Sequence, residues 1–240
     1  MNGPHGRLEV QIGAAKIAKY AVAESGDTLE LIERPHGGIS AVLADGQRSG
    51  RSARIVSNIV ARKAISLLGE GVRDGAAARA VHDYLRTHRS GQVSAELQMV
   101  SVDLATRSLV VSRNARCPAY VWREGALETL AESCDPIGIY PSTKPSIVEL
   151  PLEPDVYVVL ATDGLALALG AGEGHAALAL LVAAQTEMRT SAQGLASALL
   201  TAALQACDAR PRDDISVLVV AALPDLLCDG VRTLSARFPV

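Results

Sequence analysis

The order of strand-like and helix-like segments is the feature that most restricts the fold of this chain. Short apolar runs typical of strands fill residues 8–45, two helix-like segments follow, and more strand-like runs occupy residues 95–164. Two Ala/Leu-rich helical segments and a last strand complete the pattern. Because strands and helices do not alternate as in a doubly wound fold, we predict antiparallel sheets with helices on their outer faces.

The apolar content of the chain fits this architecture. Of 240 residues, 49% are hydrophobic but only 3% are aromatic, so the core must consist mainly of Ala, Val, Leu and Ile. There are too many apolar strands for one layer, which predicts two sheets packed face to face. The sequence contains no repeat or low-complexity linker, and we expect one domain over residues 1–240, with a core at about 8–223 and an irregular tail at 224–240.

The first two helical segments carry clear local signals. Apolar residues recur at helical spacing in the first of them, at Ile55, Ile59, Ala64 and Leu67. Ser49 or Ser52 can cap this helix, and Asp74 is a plausible cap of the second.

Charge and cysteine content argue against several classes of function. The formal net charge is −3 and basic clusters such as "RSGRSAR" are short, so we expect neither nucleic acid nor an anionic membrane as a partner. The 4 cysteines form no CxxC pair and have no histidines at zinc spacing, as is usual for thiols in a reducing compartment. No stretch resembles a signal peptide or a membrane span, and we expect a cytoplasmic protein.

Acidic residues interrupt or begin three apolar runs. "LATDGLALAL" places Asp163 inside what otherwise resembles a buried strand, and "AVLADG" places Asp45 at the end of another. "RDDISVLVV" places Asp213 and Asp214 at the start of a third. An unpaired charge buried at such a position would cost several kcal/mol. Since Asp213 and Asp214 are adjacent, at most one of them should face a shared site in an extended segment.

A further acidic residue, Asp27, precedes the strand before the Asp45 strand. The "PHGG" turn between these strands predicts a hairpin in which Asp27 and Asp45 lie opposite each other at one end. Facing carboxylates repel unless a cation lies between them, and Mg²⁺ or Mn²⁺ prefers oxygen ligands. Gly46 would leave its carbonyl accessible as a further ligand. The alternative is that each aspartate is a helix cap or a turn residue, as is common for Asp-Gly pairs.

In order, the motifs "SGD", "LADGQRSG", "LATDGL" and "RDDISVLVV" resemble those of the PPM (type 2C) metal-dependent serine/threonine protein phosphatases, and most closely the SpoIIE-like bacterial branch. The resemblance runs from about Leu8 to Leu223. "NARCPAYVWREG" is similar to the "GHxPxxxxrxG" hairpin of the family, with Arg116 where histidine is usual, and "DPIGIY" is similar to its "lPLGi" loop. The resemblance implies an α+β fold, a four-layer α-β-β-α sandwich, with two Mn²⁺ or Mg²⁺ ions at one edge.

The resemblance also implies a role for each candidate ligand. Asp45 would bridge both ions, the Gly46 carbonyl would bind one of them, and Asp27 would be a ligand directly or through water. Asp163 and Asp213 would hold the other ion. Asp45, Asp163 and Asp213 would thus act in catalysis through a metal-activated water that attacks phosphorus.

Three more residues lie beside these ligands in the sequence. Asp214 stands where the family has Asp or Asn, and we assign it a supporting role. The loop "DGQRSG" has Gln47 and Arg48 where the SpoIIE-like branch often has "DGMGSG". Arg48 and Arg51 could hold a phosphate or could be solvated charges at the start of a helix.

The function that the resemblance implies is a phosphoserine/phosphothreonine protein phosphatase. Its substrates would be bacterial signalling regulators such as anti-sigma antagonists or stressosome components. An alternative is a metal-binding but catalytically weak module of the same fold that docks partners. A third interpretation, a metal-free interaction domain, requires all the carboxylates to be caps or turn residues.

Overall fold

Ten strands and five helices make up the described part of this computed structural model, which comprises residues 7–35, 37–170, 173–226 and 229–238. The strands are β1 (Leu8–Ile17), β2 (Asp27–Glu33), β3 (Gly38–Gly46), β4 (Ala95–Asp103), β5 (Ser108–Asn114), β6 (Ala119–Arg123), β7 (Ala126–Leu130), β8 (Ser146–Pro151), β9 (Val156–Ala161) and β10 (Ile215–Pro224). The helices are α1 (Gly50–Gly69), α2 (Asp74–His88), α3 (Asp163–Leu169), α4 (Gly174–Glu187) and α5 (Ala192–Ala206).

The strands form two sheets of five strands each. The first sheet has the order β1-β10-β9-β6-β7, and the second has the order β2-β3-β4-β5-β8. All neighbouring strands in both sheets are antiparallel. The predicted α+β class with antiparallel sheets is therefore confirmed.

Three apolar clusters hold the layers together. The inner faces of the two sheets pack against each other through aliphatic side chains such as Leu43, Val121 and Val158. Helices α3, α4 and α5 cover the outer face of the first sheet, and α1 and α2 cover that of the second. The layers follow the predicted order of helix, sheet, sheet and helix, and the core is mainly aliphatic, as the composition requires.

Helix α1 forms where it is predicted, and most of the predicted stripe faces the core. Ala64 is buried and Ile59 and Leu67 are partly buried against the core, whereas Ile55 is 45% exposed. Ser49 is the N-cap residue, but its side chain makes no capping hydrogen bond. Several apolar residues outside the buried face made the helical stripe ambiguous in the sequence.

Asp74 does not cap α2 but belongs to a buried polar network beside it, which corrects the prediction. The Arg34 guanidinium lies 3.2 Å from the Asp74 carboxylate. It also donates to the hydroxyls of Ser40 and Ser101 and to the carbonyl of Val72. The Ser101 hydroxyl donates to Asp74 as well. These bonds fasten the β2–β3 hairpin and β4 to the start of α2.

The segment after Asp163 is also different from the strand that its sequence resembles. Strand β9 ends at Ala161, and Asp163 begins the short helix α3. A Cβ atom at Gly164 would lie 2.1 Å from the backbone oxygen of Asp214, so the glycine allows α3 to approach the segment before β10. Asp163 is therefore held at the junction of a strand and a helix rather than within a strand.

The C-terminal part is irregular and largely exposed. Residues 225–226 and 229–238 contain no helix or strand, and Arg232 forms an exposed ion pair with Glu33 at 3.1 Å. Among the described residues, no single helix has the length and composition to cross a membrane; α3 and α4 reach that length only together, across a 95° bend.

Candidate metal centre

The β2–β3 hairpin brings Asp27 and Asp45 together, as its sequence predicts. The two residues are direct partners in the antiparallel register. Directly opposed residues of an antiparallel pair extend their side chains from the same face of the sheet. Asp27 is 1% exposed and Asp45 is half-buried. Two carboxylates therefore share a largely desolvated position at one edge of the second sheet.

The carboxylate of Asp27 joins the two sheets and keeps one oxygen free. Its Oδ2 atom accepts hydrogen bonds from Thr162 Oγ1 at 3.1 Å and from Ser216 Oγ at 2.7 Å. Its Oδ1 atom is buried and has no hydrogen-bond partner. Burial raises the pKa of Asp27 to about 6, the nearby Asp214 adds to the rise, and the two hydroxyls oppose it. A buried carboxylate oxygen without a partner is an open ligand position.

Asp45 lies where the carboxylates converge. Burial raises the pKa of Asp45 well above its ordinary range, and the negative charges of Asp27, Asp163, Glu96 and Asp213 raise it further. These residues come from segments that are far apart in the sequence: Asp27 and Glu96 lie in the second sheet with Asp45, and Asp163 and Asp213 lie next to β9 and β10 of the first sheet. The mutual repulsion among them is the repulsion that a bound cation would relieve.

Asp163 and Asp213 reach this edge from the first sheet. Asp163 begins α3 directly after β9, and its pKa is raised by desolvation and then by the charge of Asp213. Asp213 lies before β10, and its Oδ1 atom accepts the backbone N–H of Asp214 at 2.9 Å. Asp213 thus lies just before the start of a strand, as its sequence predicts, whereas Asp163 lies just beyond the end of β9 and not within a strand.

Asp214 makes contacts of another kind. It is 4% exposed, and its carboxylate accepts the backbone N–H groups of Lys19 and Gly26, each at 2.9 Å. These bonds hold the connection between β1 and β2, whose last residue directly precedes Asp27. Asp214 is therefore a structural support of the site rather than a free ligand.

Gly46 lies where helix α1 approaches the end of β3. A Cβ atom at Gly46 would lie 2.1 Å from the backbone oxygen of Ala53, which is closer than real Cβ contacts. Only a glycine lets the first turn of α1 pack this closely beside Asp45.

Glu96 is a site residue that sequence reasoning missed. It lies in β4 and is the direct partner of Asp45 in the register. Burial raises the pKa of Glu96, and the nearby charge of Asp163 adds to the rise, while the backbone N–H of Arg116 opposes it. An acidic residue in an alternating strand usually faces solvent, so nothing in the local sequence marks Glu96 as a site residue.

Two cations next to Asp27 were also missed. Lys16 Nζ donates to the Asp27 backbone oxygen at 2.9 Å, and Arg54 donates to the same oxygen. Burial lowers the pKa of Lys16, and the charge of Arg54 lowers it further. These cations offset part of the negative charge, but both are committed to a backbone carbonyl.

The predicted phosphate contacts, Arg48 and Arg51, are exposed. Arg48 lies in the loop between β3 and α1, and Arg51 lies in the first turn of α1. In the described ranges, neither guanidinium takes part in a hydrogen bond or an ion pair. Arg48 has a φ of 75°, in the left-handed region that favours glycine, which is the residue the SpoIIE-like branch often has there. Both residues stay candidates for binding a phosphate.

The donors at this edge suit a hard divalent cation. They are carboxylate oxygens, which Mg²⁺ and Mn²⁺ prefer, and they include the unpartnered Oδ1 of Asp27. As the side chains lie, no three Asp, Glu, His or Cys residues of the described chain are arranged to hold one ion. Binding therefore requires carboxylates to turn toward a common point, which their repulsion opposes until a cation is present.

Comparison with known proteins places this site in a family. The sequence matches the family model of stage II sporulation protein E (SpoIIE) over residues 35–222. No curated protein sequence matches significantly. The PP2C phosphatase domain and regulatory-domain fragment of SpoIIE from Bacillus subtilis has a TM-score of 0.79 at 20% identity, with 92% of this chain and 65% of that chain covered.

Two other solved structures share the fold. For the RsbU and RsbW domains of Rv1364c from Mycobacterium tuberculosis, the TM-score is 0.76 at 19% identity, with 90% of this chain and 60% of that chain covered. This chain thus spans about two thirds or less of the Rv1364c and SpoIIE chains. The catalytic domain of the serine/threonine protein phosphatase PstP in complex with 2 manganese ions has a TM-score of 0.69 at 15% identity, with 90% of this chain and 100% of that chain covered. The chain belongs to the SpoIIE family and has the PP2C (PPM) phosphatase fold.

Proposed function

We propose that this protein is a metal-dependent phosphatase that hydrolyses phosphoserine and phosphothreonine in proteins. The observation that carries the proposal is the convergence of carboxylates from both sheets on Asp45. Family membership supports the same chemistry, and one structure of the same fold, PstP, is described as a complex with 2 manganese ions.

The donors at this edge would hold two ions of Mn²⁺ or Mg²⁺. Asp45 and the Gly46 carbonyl would hold one ion, with Asp27 as a ligand directly or through water. Asp163 and Asp213 would hold the other. Ions bound there would supply Lewis acidity, which polarises water and offsets the negative charge of a phosphate monoester.

The remaining groups of the chain orient these ligands. Thr162 and Ser216 occupy one oxygen of Asp27 and leave the other free. Asp214 fixes the backbone that precedes Asp27. Hydrogen bonds that orient a ligand in this way contribute about 10- to 100-fold to metal affinity or activity in other metal sites.

We also propose that the substrates are phosphorylated bacterial regulators, of the anti-sigma antagonist or stressosome kind. Support comes from two structures of similar fold, one with RsbU and RsbW domains and one described as part of the bacterial stressosome. We propose in addition that the protein is cytoplasmic, and the net charge of −3 favours partners other than nucleic acid or an anionic membrane.

Hydrolysis of a phosphoserine peptide and of p-nitrophenyl phosphate tests the proposal, with added Mn²⁺ or Mg²⁺ and with a chelator. We expect turnover with the ions, none with the chelator, and a loss of roughly 10³-fold or more in Asp45→Asn. Asp83→Asn removes an exposed carboxylate from α2 and is the matched control, which should keep full turnover. Turnover that persists in the chelator would contradict the proposal, and metal binding without turnover would favour the docking module.

A further inference from the structure

Arg113 is a fully buried arginine that the proposed metal site does not use. It is 1% exposed, and no carboxylate lies within ion-pair distance of it in the described part of the chain. Its guanidinium donates to the backbone oxygens of Cys117 at 2.8 Å and Glu132 at 2.9 Å. Burying a guanidinium without an anionic partner is costly. The Arg113 guanidinium therefore connects the loop between β5 and β6 to the segment after β7 through two backbone hydrogen bonds.

Three more hydrogen bonds hold the end of β5 and the loop that follows it. Asn114 donates its side-chain amide to the Asp135 backbone oxygen at 3.1 Å and to the Thr143 hydroxyl at 2.8 Å. On the other side, the backbone N–H of Arg116 donates to a Glu96 carboxylate oxygen at 3.1 Å. The loop is thus anchored to the carboxylate edge through the strand that faces Asp45.

This anchoring places Arg116 next to the candidate metal centre. Arg116 is exposed, and its backbone N–H is bonded to Glu96, the register partner of Asp45. Within the described residues, its guanidinium has no hydrogen bond or ion pair of its own. Lys16 and Arg54, by contrast, both donate to the Asp27 backbone oxygen. Arg116 is a cation held beside the centre with its donors unused.

We propose that Arg116 binds the phosphoryl oxygens of the substrate's phosphoserine or phosphothreonine, and that Arg113 is a positioning residue for it. A guanidinium presents a planar fork of N–H donors that matches two phosphoryl oxygens, which an ammonium group does not. The inference rests on the proposed phosphatase function and identifies how that site would recognise the phosphate. It differs from the predicted contacts, Arg48 and Arg51, because the backbone of Arg116 is bonded to the site itself.

Steady-state kinetics of Arg116→Ala and Arg116→Lys test the contact, with Arg62→Ala, an exposed arginine of α1, as the control. With Mn²⁺ and a phosphoserine peptide, we expect Arg116→Ala to raise KM and the inhibition constant of inorganic phosphate by about 10- to 100-fold, with a smaller fall in kcat. Arg116→Lys should recover only part of this loss, and Arg62→Ala should leave both constants unchanged. Unchanged constants in Arg116→Ala would overturn the inference, and a change in KM alone would mean that Arg116 contacts the peptide rather than the phosphate.

A double-mutant cycle tests the positioning role of Arg113. Arg113→Lys should raise the inhibition constant of phosphate in the wild-type background and should have no further effect when Arg116 is already alanine. Equal effects in both backgrounds would overturn the positioning role. If Arg113→Lys does not fold, Asn114→Ala, which loosens the same loop, is tested in the same cycle.

A calorimetric titration separates this inference from the proposed function. Inorganic phosphate is added to the Mn²⁺-loaded wild type and to loaded Arg116→Ala. Should the wild type show no turnover, the proposed function fails, but weaker phosphate binding by Arg116→Ala would still support the contact. Equal binding by the two proteins, or none by the wild type, would overturn it.

Discussion

The two ends of strand β3 bury carboxylates in opposite ways. Near its first residues, Asp74 is paired with Arg34, and the surrounding serine hydroxyls complete the network. Near its last residues, Asp45 faces Asp27 and Glu96, which carry the same charge. The carboxylate charge at the first end is balanced by an arginine of the protein, and the carboxylate charge at the second end is not.

This difference assigns a structural role to the carboxylate at one end of β3 and a ligand-binding role to the carboxylates at the other end. A balanced buried pair fixes neighbouring elements and needs nothing from outside. An unbalanced cluster of carboxylates destabilises the folded chain and persists where a ligand supplies the missing charge. The comparison predicts opposite responses to mutation at the two ends.

Removing one partner at the balanced end should have the largest effect on stability. Arg34→Met leaves Asp74 buried without its cation and should lower the free energy of unfolding by about 3–5 kcal/mol. The double variant Arg34→Met/Asp74→Leu should recover much of this loss, because no unpaired charge remains. Urea unfolding with and without Mn²⁺ measures the free energy of unfolding of the single and the double variant. A single variant as stable as the wild type would show that the pair is not what holds this end together.

The pH dependence of stability at the unbalanced end should have the sign of a raised carboxyl pKa. Because the pKa of Asp27 rises from the ordinary 3.8 to about 6 on folding, the folded state binds more protons between these values. The free energy of unfolding of metal-free protein should therefore fall as pH rises from about 4 to 6, by at most about 3 kcal/mol from this group. Urea unfolding of the wild type and of Asp27→Asn in a chelator isolates the contribution of Asp27 to the pH dependence of stability. Identical pH profiles for the two proteins would contradict this prediction.

Neutralising the centre of the cluster should stabilise the metal-free protein. Folding without metal forces Asp45 either to stay charged among like charges or to take up a proton, and both cost free energy. Asp45→Asn avoids this cost, and we expect a gain of about 1–2 kcal/mol in chelator together with the loss of turnover. With Mn²⁺ present, the wild type should gain stability and the variant should gain much less. Thermal unfolding measures these differences. A variant less stable than the wild type in chelator would mean that Asp45 is a structural residue.

The smallest expected effect concerns Asp214. Asp214→Asn keeps one acceptor for the backbone N–H groups of Lys19 and Gly26 but loses the other, which should cost about 1 kcal/mol. Turnover should fall far less than in Asp213→Asn, although the two residues are adjacent. Equal losses of activity in both variants would show that Asp214 acts as a ligand.

The parts of the site that local pattern determines could be predicted from the sequence. Asp27 and Asp45 were paired correctly because strand alternation and the intervening turn fix the register of a hairpin. Asp163 and Asp213 were identified because each is an acidic residue inside or beside an apolar run. The face-to-face sheets follow from the number of apolar strands.

The parts that depend on long-range contacts could not be predicted. Glu96 joins the site only through the pairing of β3 with β4, which are separated by two helices. Arg113 looks like any strand-end arginine until the packing buries it. At Asp74, tertiary pairing with Arg34 overrides the local preference for a cap.

Anomalous diffraction from crystals grown with Mn²⁺, recorded at the manganese absorption edge, tests the central claim most directly. We predict anomalous peaks at the edge where β3 ends, in contact with the carboxylates of Asp45, Asp163 and Asp213, and with the Gly46 carbonyl. Crystals in millimolar Mn²⁺ with no peak at this edge, or with peaks only elsewhere on the surface, would contradict the claim that these carboxylates form a metal centre.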